Sequence, residues 1–507
     1  MTVSRYAWQS ERKLRLISPN GGFWRIRCMA LCACCISLAT MGSAQTVPAF
    51  FGAEGAGAKS VGGRAGRVIE VVNLNAEGPG SLKEALEASG PRTVVFRVGG
   101  TIDWGGAKVR VTNPYLTIAG QTAPGDGICI RNGQLYIRTH DVVMRYLRVR
   151  SGMGHCIFLE DGTHSVIIDH CSFSWATDEN VTLYSVDSPL RDITFSWCIS
   201  SEGVRPEATQ HNVHGAGLIV GSVRRADLLE NIDVHHNLFA HNQFRNPYIK
   251  GKSARVINNI TYDWEFWSML IRAGITVDII GNHFKLGPSF SPADWTHKES
   301  IIWSAVPGDN GNYGVPGTPS IYIAGNRDEY RDNDPDEDNW DLMDAVVYLK
   351  TTGKVDRTFE RKCPQPAGPF PITVHRVEDL DRVLLPSVGA SRHLDDKGEW
   401  VSIRDSVDER VIADYVDGTG ILPSKVADVG GYPELSGGIP YVDSDHDGMP
   451  DAWEIANGFD PSDASDGGKD ADADGYTNLE ESLNGTDPHK SIAMAGSVQP
   501  SGVAPAQ

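Results

Sequence analysis

The sequence predicts an all-β fold wound as a parallel β-helix, and three observations predict it. One short phrase recurs five times, pivoting on Cys171, Cys198, Asn237, Asn259 and Asn282 at intervals of 22 to 39 residues. Three residues before each pivot stands Ile168, Phe195, Val234, Val256 or Ile279, and five before stands Val166, Ile193, Ile232, Ala254 or Val277. Apolar residues at a spacing of two belong to strands, and repetition of the phrase belongs to coils that bury one another's inward faces. The long outer groove of such a stack suits a long polymer. Third, the chain carries 54 glycines at 40% hydrophobic content, as a turn-rich β protein does.

The remaining elements follow in order. Arg25 and Arg27 precede the apolar stretch Cys28–Met41 and the small residues Gly42-Ser43-Ala44, the pattern of a secretory signal over residues 1–44. It predicts a secreted protein, extracellular or periplasmic, with no membrane span in the mature chain. Four of nine cysteines fall in this leader, and Cys129, Cys156, Cys171, Cys198 and Cys363 remain, an odd and widely spaced set that is no disulfide framework. Ser81 with Glu84 three residues on forms a capping box for a short helix through Ala88, expected to cover the open first coil. Strands are expected at Thr93–Val98, Leu116–Ile118 and Val142–Val149. The β-helix should occupy 45–325, with the strand rhythm fading at Asn326. An extension over 326–434 is expected to pack on the β-helix or follow it, with a helix at Ser406–Val416.

Charge is unevenly spread. The net charge of −19 excludes nonspecific nucleic-acid binding, and the chain is expected to be monomeric. Arg138, Arg145, Arg148 and Arg150 nevertheless form a basic segment. Much of the acid lies in a second repeat. Asp443, Asp445, Asp447, Asp451 and Glu454 occupy positions 1, 3, 5, 9 and 12 of one loop, and Asp470, Asp472, Asp474, Asn478 and Glu481 those of another, each with glycine at position 6. That is the oxygen-ligand spacing of an EF-hand calcium loop. It resembles thrombospondin type 3 and dockerin calcium repeats, and it predicts structural calcium over 443–488, with a calcium-dependent surface or scaffold partner as a further role. The tail 489–507 is small, polar and expected to be disordered.

Residues from about Phe50 to Glu434 resemble a pectate lyase of polysaccharide lyase family 1. The resemblance is carried by Phe51-Gly52-Ala53-Glu54-Gly55, Pro79-Gly80-Ser81-Leu82, Ile118-Ala119-Gly120-Gln121-Thr122, Ile168-Asp169-His170-Cys171-Ser172-Phe173-Ser174-Trp175 and Arg245-Asn246-Pro247. It implies a right-handed parallel β-helix, bound Ca2+ and cleavage of polygalacturonate by β-elimination. The family's base is an arginine in an Arg-x-Pro-x-x-Arg motif. Arg245 takes the first place, Pro247 the third, and Lys250 replaces the final arginine, where it would neutralise substrate charge as a point charge. Asp178 matches a family calcium position, with Glu179 beside it as a second candidate ligand. His155 and Thr182 stand where the family commonly has acids.

The chemistry of elimination agrees. Removing a weakly acidic C5 proton needs a base, and a cation on the uronate carboxylate stabilises the enolate-like transition state. Arginine is normally protonated, so a basic role asks for alkaline conditions or a special environment. His241, Asn242 and Tyr248 are candidate substrate contacts. Trp175, Tyr184, Trp264 and Trp267 would stack on sugars or fill the core, and Asp169 and His170 would brace turns. Three other readings stay open. A β-helix glycosidase would need paired carboxylates flanking the bond, and a non-catalytic polysaccharide-binding β-helix, or a lyase for another uronate polymer, is compatible with His155 and Thr182.

Overall fold

The structure, a computed structural model, describes residues 47–205, 215–222, 225–272, 274–290, 300–304, 318–347 and 350–491. The leader and most of the tail lie outside the described residues. Strands stack in three columns of parallel neighbours. The first column runs from Arg67–Val71 through His164–Asp169, Leu190–Ser196, Leu229–His235 and Ser253–Ile257 to Ser320–Ala324. The second runs from Arg148–Arg150 through Ser172–Ser174, Ile199–Ser201 and Leu238–Ala240 to Arg327–Asp328. The third runs from Ile157–Leu159 through Glu179–Tyr184, Ala216–Gly221, Tyr248–Ile249 and Met269–Arg272 to Met343–Val347. Near the start, Gly100–Val111 and Ile128–Ile137 each serve both of the latter columns. Parallel crossovers of this kind are right-handed, and the chain is a right-handed parallel β-helix.

The apolar phrase sets the register. Val166, Ile193, Ile232, Ala254 and Val277 lie in one file, and Ile168, Phe195, Val234, Val256 and Ile279 in the next. All ten are buried in one continuous core. The pivot residues form an internal ladder. Cys171 donates its amide to Cys198 Sγ at 3.3 Å, and Cys198 donates to Asn237 Oδ1 at 2.9 Å. Asn237, Asn259 and Asn282 pass the bond on through Oδ1 acceptors at 2.9–3.1 Å, and Asn326 and Asn339 continue it. Asparagine suits this place because its amide both donates and accepts, so each turn satisfies the backbone of the turn beneath. The five mature cysteines are free thiols.

The corner before each pivot is turned in the left-handed region: Tyr146, one coil before the first pivot, and His170, Trp197, His236 and Asn258 have φ between 49° and 55°, and Gly281 has 61°. The first four rings stack along the corner at centroid distances of 5.0, 5.6 and 4.6 Å. The Tyr146 corner divides the strand expected over Val142–Val149 into His140–Arg145 and Arg148–Arg150. The cap helix covers Leu82–Glu87, with Ser81 Oγ accepting from Glu84 N, and it buries Leu82, Ala85 and Leu86 against the core.

Later segments sheathe two of the three columns. The second column's outer face packs against Leu380, Leu384, Val388, Val411 and Tyr415, the last two from the helix Ser406–Asp417. Arg150, fully buried, donates to Asp405 and Asp408 at 2.7 and 2.9 Å, and Ser172 Oγ donates to Asp408. The acidic repeat packs on the first column through Tyr441, Met449, Leu479 and Leu483 against Ala119 and Val68. The strand columns also run to Val347, past the expected boundary at 325, because Asn326 and Asn339 extend the ladder where the strand rhythm of the sequence weakens.

Candidate active site and cation centres

Among the described residues, the third column's outer face is the one that no later segment sheathes. Its outward file runs in register from Arg110 through Tyr136, Phe158, Thr182, Ile219 and Tyr248 to Leu270. Phe158, Tyr184, Ile219 and Arg272 are half-buried there. Arg245 reaches this face from the turn before Tyr248–Ile249, itself in the left-handed region at φ 59°. Its guanidinium lies 4.6 Å from the ring centre of Phe244 and 5.8 Å from that of Tyr248. It pairs with Glu179, at the start of the third-column strand next but one, with Ala216–Gly221 between them.

Around this pair the structure gathers the other candidates. His155 Nδ1 lies 3.4 Å from Glu179 Oε2, and His155 Nε2 lies 4.0 Å from Asp178 Oδ2. Thr182 Oγ1 is 3.0 Å from His155 Nδ1. Burial alone raises the Glu179 carboxyl, but the hydrogen bond from His155 and the charge of Arg245 outweigh it and hold the group at about 2. His155, Asp178 and Glu179 present ligand atoms within 4.8 Å of one another. Two carboxylates on one side and an open face on the other fit a weak site for a hard cation, which takes oxygen donors. A substrate carboxylate would supply the missing negative charge.

Not every expected contact belongs to this face. His241 and Asn242 are fully buried, which corrects their reading as sugar contacts. His241 Nδ1 holds Asp263 Oδ2 at 2.8 Å, and Asp263 and Asp414 together hold its imidazole up at about 9 against the opposing effect of burial. Asn242 Oδ1 accepts from Gly203 N and Asn180, and its amide donates to Ser200 O and Asn246. Both shape the turn that carries Arg245. Lys250 is only 2% exposed, with Nζ donating to Ser222 O at 2.8 Å. This corrects the expectation of an open point charge. Arg272, half-buried and one step beyond Ile271 in the same register, stands nearer the surface and donates to Tyr248 Oη at 3.4 Å. Trp175 and Trp264 are fully buried and belong to the core. Asp169 accepts from Arg145, His170 and Ser196, which makes Asp169-His170 a corner brace.

The acidic loops form a second and very different assembly. Helices Asp451–Asn457 and Asn478–Asn484 follow them, closed by Gly458 and Gly485 in the left-handed region. Asp443, Asp445 and Asp447 converge, as do Asp470, Asp472 and Asp474, with ligand atoms within 4.8 Å in each group. Buried oxygens of Asp445, Asp447, Glu454, Asp472 and Glu481 have no hydrogen-bond partner. Burial and neighbouring carboxylates push Asp447 and Glu481 up to about 7 and Glu454 up to about 8. Orphaned buried oxygens in this number fit a hard cation such as calcium. Asp451 and Asn478 are placed differently from the expected ligand role. Asp451 accepts from the amide and hydroxyl of Ser444, and Asn478 Oδ1 accepts from Ala471 N, so both brace their loops.

No family model matches the chain. Comparison with curated proteins is decisive: probable pectate lyase C of Aspergillus flavus is 32% identical over 458 residues, spanning 88% of this chain and 95% of that protein. The chain belongs to the pectate lyase family. It is therefore a polysaccharide lyase. Probable pectate lyase C of Aspergillus fumigatus is 34% identical over 462 residues, again covering 88% of this chain and 95% of the relative. Among solved structures, a Bacillus sp. N165 pectate lyase in complex with trigalacturonate is 18% identical, covers 67% of this chain and 98% of its own, and has a TM-score of 0.47. The assignment rests on the sequence relatives.

Proposed function

We propose that this pectate lyase is a secreted, calcium-dependent enzyme that cleaves polygalacturonate by β-elimination, with Arg245 as the base. The reading is carried by one juxtaposition: Arg245 meets Glu179 beside Asp178 and His155 on the third column's outer face. Asp178 and Glu179 are the residues that would hold calcium, which when bound supplies positive charge against the substrate C6 carboxylate and so stabilises developing negative charge. For catalysis the Arg245–Glu179 pair has to part and the guanidinium has to give up a proton to alkaline solvent, leaving a neutral guanidine facing the C5 proton. The guanidine takes that proton and becomes guanidinium, the C5 electron pair forms the C4–C5 double bond at the new non-reducing end, and the glycosidic oxygen leaves C4 and takes a proton from water. Arg272 and Tyr248 line the same face and bind substrate, the arginine by charge and the ring by its apolar edge.

The secretory leader supports export. Among the described residues no helix is long and apolar enough to cross a membrane. The two acidic loops are proposed to bind structural calcium. The assay is ultraviolet absorbance of unsaturated product on polygalacturonate, with and without calcium. Chain scission without that absorbance would favour hydrolysis, and binding without scission would favour a non-catalytic role.

A further inference from the structure

Resting on the reading that the acidic module binds calcium, we infer that its first cation centre is completed by Asp466, from outside the loop, and that the filled centre fastens the module onto the opening coils of the β-helix. The twelve-residue spacing ends at Glu454, yet Glu454 faces a residue twelve positions further on: Asp447, Glu454 and Asp466 present carboxylate oxygens within 4.8 Å of one another. Glu454 is fully buried and neither of its oxygens has a hydrogen-bond partner. Asp447 Oδ2 and Asp466 Oδ1 are likewise buried and unpartnered. The other oxygen of Asp466 accepts from Asp460 N at 3.3 Å, which anchors the side chain with one oxygen free to ligate.

The backbone is cut to leave this space open. Gly467 follows Asp466, and a Cβ there would lie 2.3 Å from Asp447 Oδ2. Any side chain at 467 would fall where the carboxylates converge. Asp466 therefore ties the connection between the two loops to the first loop, and the second loop continues from that connection: Asn478 Nδ2 donates to Asp466 O, and Leu479 N donates to Gly467 O.

The same centre touches the β-helix. Asp443 lies 3.8 Å from Arg97, whose guanidinium also donates to Tyr441 O at 2.6 Å and pairs with Glu70 on the first strand of the first column. Arg64 pairs with Glu480 at 2.8 Å, Arg145 donates to Asn484 Oδ1 at 2.8 Å, and Gln121 donates to Leu483 O. Beneath them Val68 and Ala119 pack on Met449, Leu479 and Leu483. With the carboxylates unfilled, mutual repulsion works against the loop geometry that presents Met449 and Leu479. A calcium ion removes that repulsion, so filling the centre tightens an apolar contact with the catalytic domain. The module's buried apolar residues Met449, Leu479 and Leu483 are turned toward its own chain.

The test is hydrogen exchange of the full-length protein followed by mass spectrometry across a calcium titration, read separately in peptides covering 440–470 and 64–75. In wild type both peptides should gain protection with one shared midpoint. Asp466→Asn, which removes charge but little volume, should move that midpoint to roughly tenfold higher calcium or more, since affinity at such sites follows ligand charge count. Asp463→Asn, whose carboxylate faces solvent and Lys469, should leave it in place. A wild-type midpoint in Asp466→Asn would overturn the assignment of Asp466. Protection of 440–470 with no change in 64–75 would overturn the fastening. No protection in either peptide at millimolar calcium would instead overturn the underlying reading that the module binds calcium.

Discussion

Two sets of buried carboxylates in this protein have opposite electrostatic fates. On the third column, Glu179 is surrounded by Arg245 and His155 and held at about 2. In the C-terminal module, burial and the charges of Asp447, Asp445, Asp466 and Asp451 push Glu454 up to about 8. Both are buried. The difference lies in what the chain itself supplies as counter-charge. The catalytic face provides its own cation, a guanidinium that can exchange its partner during a reaction. Around Glu454 the module provides none, which on the proposed reading leaves that charge to an ion from solution. A functional site and a structural site thus differ here in whether their charges are already balanced, a distinction that spacing of acidic residues alone does not reveal.

The sharpest way to break the comparison is at Arg245. Arg245→Ala should lower turnover by roughly 10²- to 10⁴-fold, the usual worth of a positioned proton-transfer group, while the melting temperature stays near that of wild type. Near-native activity in a folded variant would remove Arg245 from the reaction. The counterpart on the sheathed second column is structural: Asp405→Ala leaves the fully buried Arg150 with Asp408 as its remaining carboxylate and should cost about 1–3 kcal/mol of stability, read by denaturant unfolding.

Acid provides a milder version of the same break. Burial raises the Asp405 carboxyl, but Arg150 and Arg148 overcome that and hold it at about 2. A carboxyl depressed below its unfolded value of about 3.9 stabilises the fold above that value, and the contribution is lost as pH falls toward about 2. Thermal melts of wild type between about pH 5 and about pH 2 should therefore decline more steeply than those of Asp405→Asn. Parallel curves would show that this cluster does not govern acid stability.

Much of the architecture was legible because it is periodic. Ten apolar positions at a spacing of two, with a pivot residue after them, specify inward files and coil repeat together, and those files are the ones that stack. The resemblance singled out Arg245 and Asp178, sequence adjacency added Glu179, and the fold brings the three together. What the sequence hid is what depends on packing between distant coils. His241 and Asn242 look like sugar contacts by proximity to Arg245, yet their partners Asp263, Asp414, Asn180 and Gly203 are far away in sequence and turn both inward. Lys250 sits under the Ser222 carbonyl for the same reason. Asp466 lies outside the loop template, and only Gly467 beside it, in hindsight, marks a place where the backbone must come close.

Smaller effects sharpen the comparison further. Calcium at about 100 times its dissociation constant should stabilise the module by about 2.7 kcal/mol, seen as resistance of 443–488 to proteolysis that a chelator abolishes. Glu454→Gln should reverse sign with metal: more stable than wild type in chelator, where like charges repel, and less stable in calcium, where a ligand charge is lost. Asp178→Asn should leave folding unchanged and raise the calcium needed for half-maximal activity, since one anionic ligand is gone. An unchanged requirement would leave Glu179 as the remaining candidate ligand.

The most direct test of the central claim is the rate of unsaturated-product formation on polygalacturonate, followed by ultraviolet absorbance across calcium concentrations for wild type, Arg245→Ala and Asp178→Asn together. The account predicts calcium-dependent absorbance in wild type, the same dependence displaced to higher calcium in Asp178→Asn, and near-complete loss in Arg245→Ala at every calcium concentration. Absorbance in wild type that ignores calcium, or that survives in Arg245→Ala, would contradict it.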